Sequence, residues 1–319
     1  MTVVLKIGGA RAVDPAGALA DVASLVAEGE DVVVVHGGST AVDETLEELG
    51  EEPTYVETPG GVVGRFTDER TMEVFEMVLP GKLNTDLVAG LQNEGVDAVG
   101  LSGVDGKLLA GPRKSAVRVK EDGKKKIKRG DHSGTIKQVN ADLLETLLDG
   151  GYTPVATVPM AGKDGEIEPR SGSENASGDD QEPRAQWLPV NADADRAAAA
   201  IAGALDATLV VLTDVPGVLA DPDDESTLID SAETPEEFET IEDAAEGFMT
   251  KKVMAATEAI EGGAERVIVA DANVEEPVVS AVDGGGTHVL ASALESKDDG
   301  ADSDEAADDD SDTEATEVS

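Results

Sequence analysis

Two short stretches decide the fold: TVVLKIGG at residues 2–9 and DVVVVHGGST at residues 31–40. Each is a run of β-branched and other apolar residues that stops at a pair of glycines. A run apolar at every position is a strand covered on both faces, as in a parallel sheet. Between the two runs, residues 16–28 repeat apolar side chains at helical spacing, and a second helical stretch follows the HGGS turn as far as Leu49. Further β-branched runs lie at 96–101, 154–158, 209–212 and 267–269. Helical periodicity occupies 69–79, 82–94, 139–149, 194–205 and 251–262. Strands alternating with helices predict a three-layer α/β/α fold around a mainly parallel sheet. Residues 1–162 are expected to form one lobe and 187–296 the other. The stretch 163–186 between them is polar and aperiodic and reads as a surface insertion or connection.

The glycine pairs also suggest chemistry. Glycine lets backbone N–H groups approach an anion, and the helix that follows adds partial positive charge at its first turn. Two such turns at neighbouring strand ends predict one anion cradle at the carboxyl edge of the sheet. The chain has no G-x-x-x-x-G-K-[ST] and no G-x-G-x-x-G, so neither a P-loop nor a dinucleotide site is expected.

Composition narrows the rest. The 319 residues hold 68 acids against 24 bases, a net charge of -44, with no cysteine and only 2% aromatic residues. Disulfides, cysteine metal sites and thiol catalysis are excluded. Nucleic acid and anionic membranes are poor partners for such a charge. No apolar stretch is long enough to span a bilayer, and the opening MTVVLKIGG shows no leader, so a cytoplasmic protein is expected. Residues 297–319 carry 11 acids and one lysine and read as a disordered acidic tail. The acidic surface in general reads as an adaptation to concentrated salt.

One segment reverses the pattern. Residues 107–137 hold 11 bases and 3 acids, whereas the remainder of 1–296 holds 54 acids and 12 bases. Alternating apolar and basic residues on either side of Glu121-Asp122-Gly123 read as a β-hairpin with a basic face. Lysine also guards edge strands. In a chain so biased towards acid, a retained patch of this kind points to a polyanionic partner.

In order along the chain stand KIGG at 6–9, HGGS at 36–39, GRFTDERTMEVFEMVLPGKLN at 64–84, VNAD at 190–193, LTDVPGVL at 212–219 and GFMTKKV at 247–253. Together they resemble the amino-acid kinase superfamily, within it the acetylglutamate kinase branch, over residues 1 to about 296. The resemblance implies a carbamate kinase-like fold in two lobes. The basic segment, followed by SGTIKQVNADLL at 133–144, is similar to members whose substrate is attached to the acidic amino-group carrier protein LysW. It implies ATP-dependent phosphorylation of the side-chain carboxylate of carrier-borne glutamate or 2-aminoadipate. A kinase of free N-acetylglutamate, or a sensor without catalysis, are the alternatives.

The resemblance also implies roles. Lys6 and Lys252 are the cations on the transferring phosphoryl group, held in place by Asp193. Gly8, Gly9 and Asp214 belong to the ATP site, with Mg²⁺ on the phosphates and no protein side chain as metal ligand. Gly37, Gly38, Ser39, Arg65 and Asn191 face the substrate. Arg118, Lys120, Lys124, Lys125, Lys126, Lys128 and Arg129 dock the carrier. Taken by themselves, Lys6 could guard an edge strand, Asp193 could cap the helix after it, and Lys251 competes with Lys252. Ser39 replaces a frequent third glycine. Pro189 stands where the family often has a substrate-contacting asparagine, so either Asn191 takes that contact over or it is missing. His36, His132 and His288 lack ligand-like spacing. The stripe Met72, Phe75, Met77, Val78 and Leu79 reads as core or a dimer contact. The absence of an additional N-terminal helix implies a simple homodimer without arginine feedback.

Overall fold

The computed structural model describes residues 1–8, 15–59, 61, 63–121, 124–167, 184–245 and 248–294. The expected acidic tail at 297–319, Gly9 and the Asp122-Gly123 turn lie outside the described residues. The chain runs β1 (Thr2–Ile7), α1 (Pro15–Ala27), β2 (Asp31–His36), α2 (Ser39–Glu48), β3 (Tyr55–Glu57), β4 (Val63–Arg65), α3 (Glu69–Glu76), α4 (Asn84–Asn93) and β5 (Ala98–Gly103). It continues with β6 (Leu109–Glu121), β7 (Lys124–Gly134), β8 (Gln138–Val139), α5 (Ala141–Asp149), β9 (Thr153–Ile167), β10 (Arg184–Val190) and α6 (Ala194–Ala204). It ends with β11 (Thr208–Thr213), β12 (Ser231–Ala232), α7 (Pro235–Ala244), α8 (Phe248–Glu261), β13 (Arg266–Asp271), α9 (Pro277–Val282) and β14 (Thr287–Leu290).

Twelve of these strands form one sheet in the order β12-β14-β13-β11-β1-β2-β9-β6-β7, with β5 and β10 also paired to β9 and β8 to β6. β1 lies inside it, parallel to both neighbours, with Lys6 opposite Val35 on one side and Val211 on the other. Successive β1 side chains enter different cores. Val4 packs with α2, α3, α6, α7 and α8 residues, whereas Val3 and Leu5 pack with those of α1, α4 and α9. Alternation along a doubly covered strand is what produces the three layers. Both expected lobes therefore contribute strands to a single sheet. No helix among the described residues is long and apolar enough to cross a membrane.

Three local expectations change. The helices read at 69–79 and 82–94 are joined by a π-helical segment, Met77–Leu83, that contains Pro80. The wider i→i+5 turn accommodates a residue that has no N–H to donate. Met72, Phe75, Val78 and Leu79 are buried there, and Met77 is half exposed. Secondly, the polar stretch 163–186 is not a connection throughout. β9 runs on to Ile167 and β10 starts at Arg184, paired antiparallel from Arg184–Ile167 to Val190–Met160. Backbone hydrogen bonds hold this ladder, so the side-chain pattern gave no sign of it. Lastly, the basic hairpin is longer than read, paired from Glu121–Lys124 down to Arg113–Gly134, with an irregularity between Lys114 and Ala116.

One glycine of the second turn, Gly38, is required both by its backbone conformation, φ 158° and ψ 31°, and by space. A Cβ on Gly38 would lie 2.4 Å from Leu83 Cδ1 and 2.7 Å from Leu79 Cδ2, so α2 can start at the sheet edge only by direct backbone contact with the π segment. Gly38→Ala is expected to lose ~1–3 kcal/mol of stability in urea unfolding through overpacking. Gly64→Ala, where nothing lies within 4 Å, should stay within about 0.5 kcal/mol of the parent.

Candidate active site

Lys6, near the end of β1, is 6% exposed. A lysine buried this deeply needs a counter-charge, since desolvating an unpaired ammonium costs several kcal/mol. Its Nζ lies 2.5 Å from Asp195 Oδ1. The contact is a charge-assisted one at hydrogen-bonding distance, and it holds the carboxylate in its charged form. Burial drives the Asp195 carboxyl up, yet Lys6 and Lys252, with Lys251 behind them, hold it below the usual carboxylate range. Lys252, on α8, is half-buried and belongs to the same cluster. Burial pulls its ammonium below the ordinary lysine value; Asp195, Asp214 and Asp193 oppose that shift and Lys6 adds to it. Lys251, one residue earlier, is exposed. The register of α8 therefore turns Lys252, not Lys251, towards Lys6.

The resemblance gave Asp193 the task of holding the lysines, and here the structure differs. Asp193 Oδ1 caps α6, accepting from the N–H groups of Asp195 at 2.9 Å and Arg196 at 3.2 Å. The carboxylate on Lys6 is that of Asp195, in the first turn of the helix. Asp193 acts on Lys252 only through its charge. Asp214 follows directly on β11, is exposed, and adds negative charge at Lys252. α6 and α8 are fastened together by Arg196–Glu258 at 2.7 Å and by a glycine contact, since a Cβ on Gly203 would come within 2.8 Å of the Gly262 backbone. That packing fixes Asp195 and Lys252 relative to each other.

The glycine turns stand beside this cluster. Gly8 follows β1, and a Cβ on Gly37 would lie 3.4 Å from Ala194 Cβ, so the second turn abuts the start of α6. His36 holds that turn from beneath. It is 2% exposed; its Nδ1 donates to the Gly37 carbonyl at 2.9 Å, which leaves Nε2 to accept from Asn84 Nδ2 at 3.2 Å. Burial lowers its pKa to about 4, against the pull of the Gly37 carbonyl and with help from Lys6. His36 is thus a neutral fixture of the turn. Ser39 is the first, exposed residue of α2.

At the end expected to meet the substrate, Arg65 closes β4 with its side chain only 6% exposed. Its fork is already occupied. Nη1 and Nη2 both donate to the Asp43 carboxylate, the latter at 2.9 Å, and Nη2 also meets Tyr55 Oη at 2.9 Å and the Ser39 carbonyl at 3.2 Å. A substrate carboxylate at Arg65 would compete with Asp43 for that fork. Asn191 Nδ2 donates to Thr67 Oγ1 at 3.0 Å, and its backbone bridges His132 and Gly134 at the root of β7. Of the expected docking residues, Lys120 pairs with Glu57 at 3.2 Å, Lys126 pairs with Glu121 at 2.7 Å, and Lys128 stacks over Phe66 at 4.0 Å. Arg118, Lys124, Lys125 and Arg129 are exposed without an ion pair among the described residues.

This geometry places the charged cluster at the carboxyl edge of a parallel sheet, at the ends of β1 and β11 and the start of α6. The sequence profile of the amino acid kinase family matches residues 1–271. The chain belongs to that family. It is 42% identical over 293 residues to a [LysW]-aminoadipate kinase of Thermus thermophilus, covering 90% of this chain and 99% of that one. It is 40% identical over 269 residues to an acetylglutamate kinase of Methanopyrus kandleri, covering 83% and 93%. Among solved structures, an N-acetylglutamate synthase of Neisseria gonorrhoeae superimposes with a TM-score of 0.65 at 21% identity, over 91% of this chain and 59% of that one. That likeness is one of fold. Within the family this chain is a kinase.

Three participants were not found by reading the sequence. Asp195 had a signal, an acid in the first turn of a helix whose cap was recognised. Asp43 and Asp131 had none, because they are ordinary acids in an acidic chain until the fold places them beside Arg65 and Thr67.

His36 gives a pH prediction. Unfolded, it titrates near 6.5; folded, at about 4. Below pH 6.5 the unfolded chain takes up a proton that the folded one refuses, so its contribution to stability is full above pH 6.5 and falls as the pH drops towards 4. Between pH 7 and 5 the parent should lose about 2 kcal/mol more in urea unfolding than His36→Gln does.

Proposed function

We propose that the protein transfers the γ-phosphoryl group of ATP to the side-chain carboxylate of glutamate or 2-aminoadipate borne by the carrier protein LysW. The product is an acyl phosphate in arginine or lysine biosynthesis. The observation that carries this reading is the convergence of Lys6 and Lys252, from opposite ends of the chain, on one buried carboxylate beside two strand-end glycine turns.

The acceptor carboxylate is already an anion at neutral pH, so no general base has to be found. The barrier lies in bringing two anions together and in the charge that builds on the transferring group. Lys6 and Lys252 answer that need, being fixed and partly desolvated, where a positive charge acts more strongly than in water. Gly8, Gly37 and Gly38 allow backbone N–H groups to approach phosphate oxygens. Mg²⁺ would come with the nucleotide and shield its β- and γ-phosphates. Asp195 keeps the two lysines together, and Asp193 sets the helix that carries Asp195.

Carrier delivery is favoured by the basic hairpin and by the [LysW]-aminoadipate kinase relative. A cavity of about 510 Å³ lies at the hairpin's foot and is lined by Gly134, Thr135 and Lys137 on one side and Asp193 and Arg196 on the other. The acetylglutamate kinase relative supports the second reading, in which the acceptor is free N-acetylglutamate. A non-catalytic sensor is opposed by the presence of both lysines with their carboxylate. In this proposal the protein works in the cytoplasm of a salt-rich cell as a homodimer.

Acyl phosphate trapped with hydroxylamine decides between the acceptors. Glutamyl-LysW and aminoadipyl-LysW should both turn over, since one methylene is worth only ~1–3 kcal/mol in a shaped pocket. Turnover of free N-acetylglutamate alone would sink carrier delivery. In the same assay Lys252→Ala should lower kcat by about a hundredfold or more while the KM for ATP changes far less. Unchanged kcat would remove Lys252 from the mechanism. Asp193→Ala should cost ~1 kcal/mol of stability as a lost cap. Asp195→Ala should chiefly lower kcat, because it leaves the two ammonium groups repelling each other.

A further inference from the structure

The hairpin has two unlike faces. Its register pairs Val117 with Lys128 and Val119 with Lys126, and pairs Ala116 with Arg129, Arg118 with Ile127 and Lys120 with Lys125. Residues opposite each other share a face, and the faces alternate. The first set covers the body of the protein: Val119 is 1% exposed and Lys128 stacks on the buried Phe66 ring. The second set looks outward except at the tip, where Lys120 reaches Glu57 of β3. At its centre Ile127 is 65% exposed, the most exposed of all the large apolar side chains described. Around it stand Arg118, Lys125 and Arg129, exposed and without an ion pair among the described residues.

Among the described residues, none of the buried core clusters includes this isoleucine. Threonine would serve an exposed strand equally well, and lysine would guard the edge better. We propose that Ile127 is the apolar anchor of the carrier-docking face, entering an apolar socket rimmed by carboxylates on an acidic protein, while Arg118, Lys125 and Arg129 meet that rim. This rests on the reading of the protein as a kinase of a carrier-borne substrate.

Charge explains why an anchor is needed. The protein as a whole carries -44, so an acidic partner at a distance is repelled and only the hairpin attracts it. Screening falls from about 10 Å at 0.1 M salt to about 3 Å at 1 M, and it weakens the local attraction along with the general repulsion. Apolar burial is not screened in this way. An interface with a desolvated apolar centre and a polar rim keeps its centre when the rim weakens.

The test uses the full chain with glutamyl-LysW and aminoadipyl-LysW, at about 0.1 M and about 1 M KCl. Native protein is compared with Ile127→Ser and with the double variant Arg118→Ser/Lys125→Ser. Ile127→Ser should raise the KM for the carrier substrate about tenfold at both salts, with kcat and the KM for ATP unchanged. The double variant should raise it at low salt and lose most of that effect at high salt. The unchanged KM for ATP also reports that the variants are folded. A native-like KM for Ile127→Ser at 1 M KCl, with normal carrier turnover by the parent, overturns the anchor and leaves the kinase reading intact. A parent that phosphorylates only free N-acetylglutamate overturns both.

Discussion

Two ammonium groups cannot share a buried corner without an anion between them, and Asp195 is that anion. Lys6 comes from the first strand, Lys252 from a helix near the end of the chain, and the carboxylate from α6 between them in sequence. The fold assembles them because β1 lies inside the sheet, flanked by β2 and β11, so its carboxyl end opens onto α6. α6 in turn fits against α8 through small residues, with Ala198, Ala202, Ala255 and Ala259 among those fully or almost fully buried. A bulkier helix face would separate Asp195 from Lys252. The alanine-rich composition of α6 is therefore a requirement of the charged cluster as well as of the core.

The same corner is joined to the hairpin by a polar network with little freedom. Asp131, fully buried at the hairpin's root, accepts from the Thr67 N–H at 3.3 Å and from the Ser133 backbone and hydroxyl. The His132 N–H donates to the Thr67 carbonyl and the Asn191 N–H to the His132 carbonyl, both at 2.7 Å, while the Gly134 N–H donates to the Asn191 carbonyl at 2.8 Å. Thr67 is two residues from Arg65, and Asn191 two from Asp193. Arg113 adds a 2.7 Å pair with Asp164 across the sheet. The bonds around Asp131 are stiff, since each lost bond would expose a desolvated partner, while Arg113 Nε is left without a hydrogen-bond partner. The root of the hairpin is thus tied to Thr67 and Asn191, next to Arg65 and Asp193.

Much of this was legible in the sequence, for identifiable reasons. β1, β2, β11 and β13 were read within about two residues because parallel strands buried on both faces are uninterrupted apolar runs. The second glycine turn, Lys6, Lys252 and the hairpin followed from motif order and charge. β10 and the outer part of β9 were missed because this antiparallel ladder, half-buried along β10, leaves no apolar alternation to detect. The gap between the stretches read as helical at 69–79 and 82–94 is filled, because the backbone accommodates Pro80 in a π segment. That Asp195 rather than Asp193 pairs with Lys6 was not legible, because a cap and an ion-pair partner two residues apart look alike in a line of text; only the direction in which each Cβ leaves the helix separates them.

Scarcity makes the basic residues informative. Outside 107–137, residues 1–296 contain 12 bases against 54 acids, and the buried ones have specific work: Lys6 in the charged cluster, Arg65 in the Asp43 fork. Arg196, more exposed, fastens α6 to α8. In such a background an unpaired surface cation is surrounded by acids and would readily find one. On the hairpin, Lys120 next to the tip is paired with Glu57 of β3, whereas Arg118, Lys125 and Arg129 on the same face have no ion pair among the described residues. An extended two-stranded ladder turns alternate side chains to opposite faces, and its outward face gathers these three cations around the exposed Ile127.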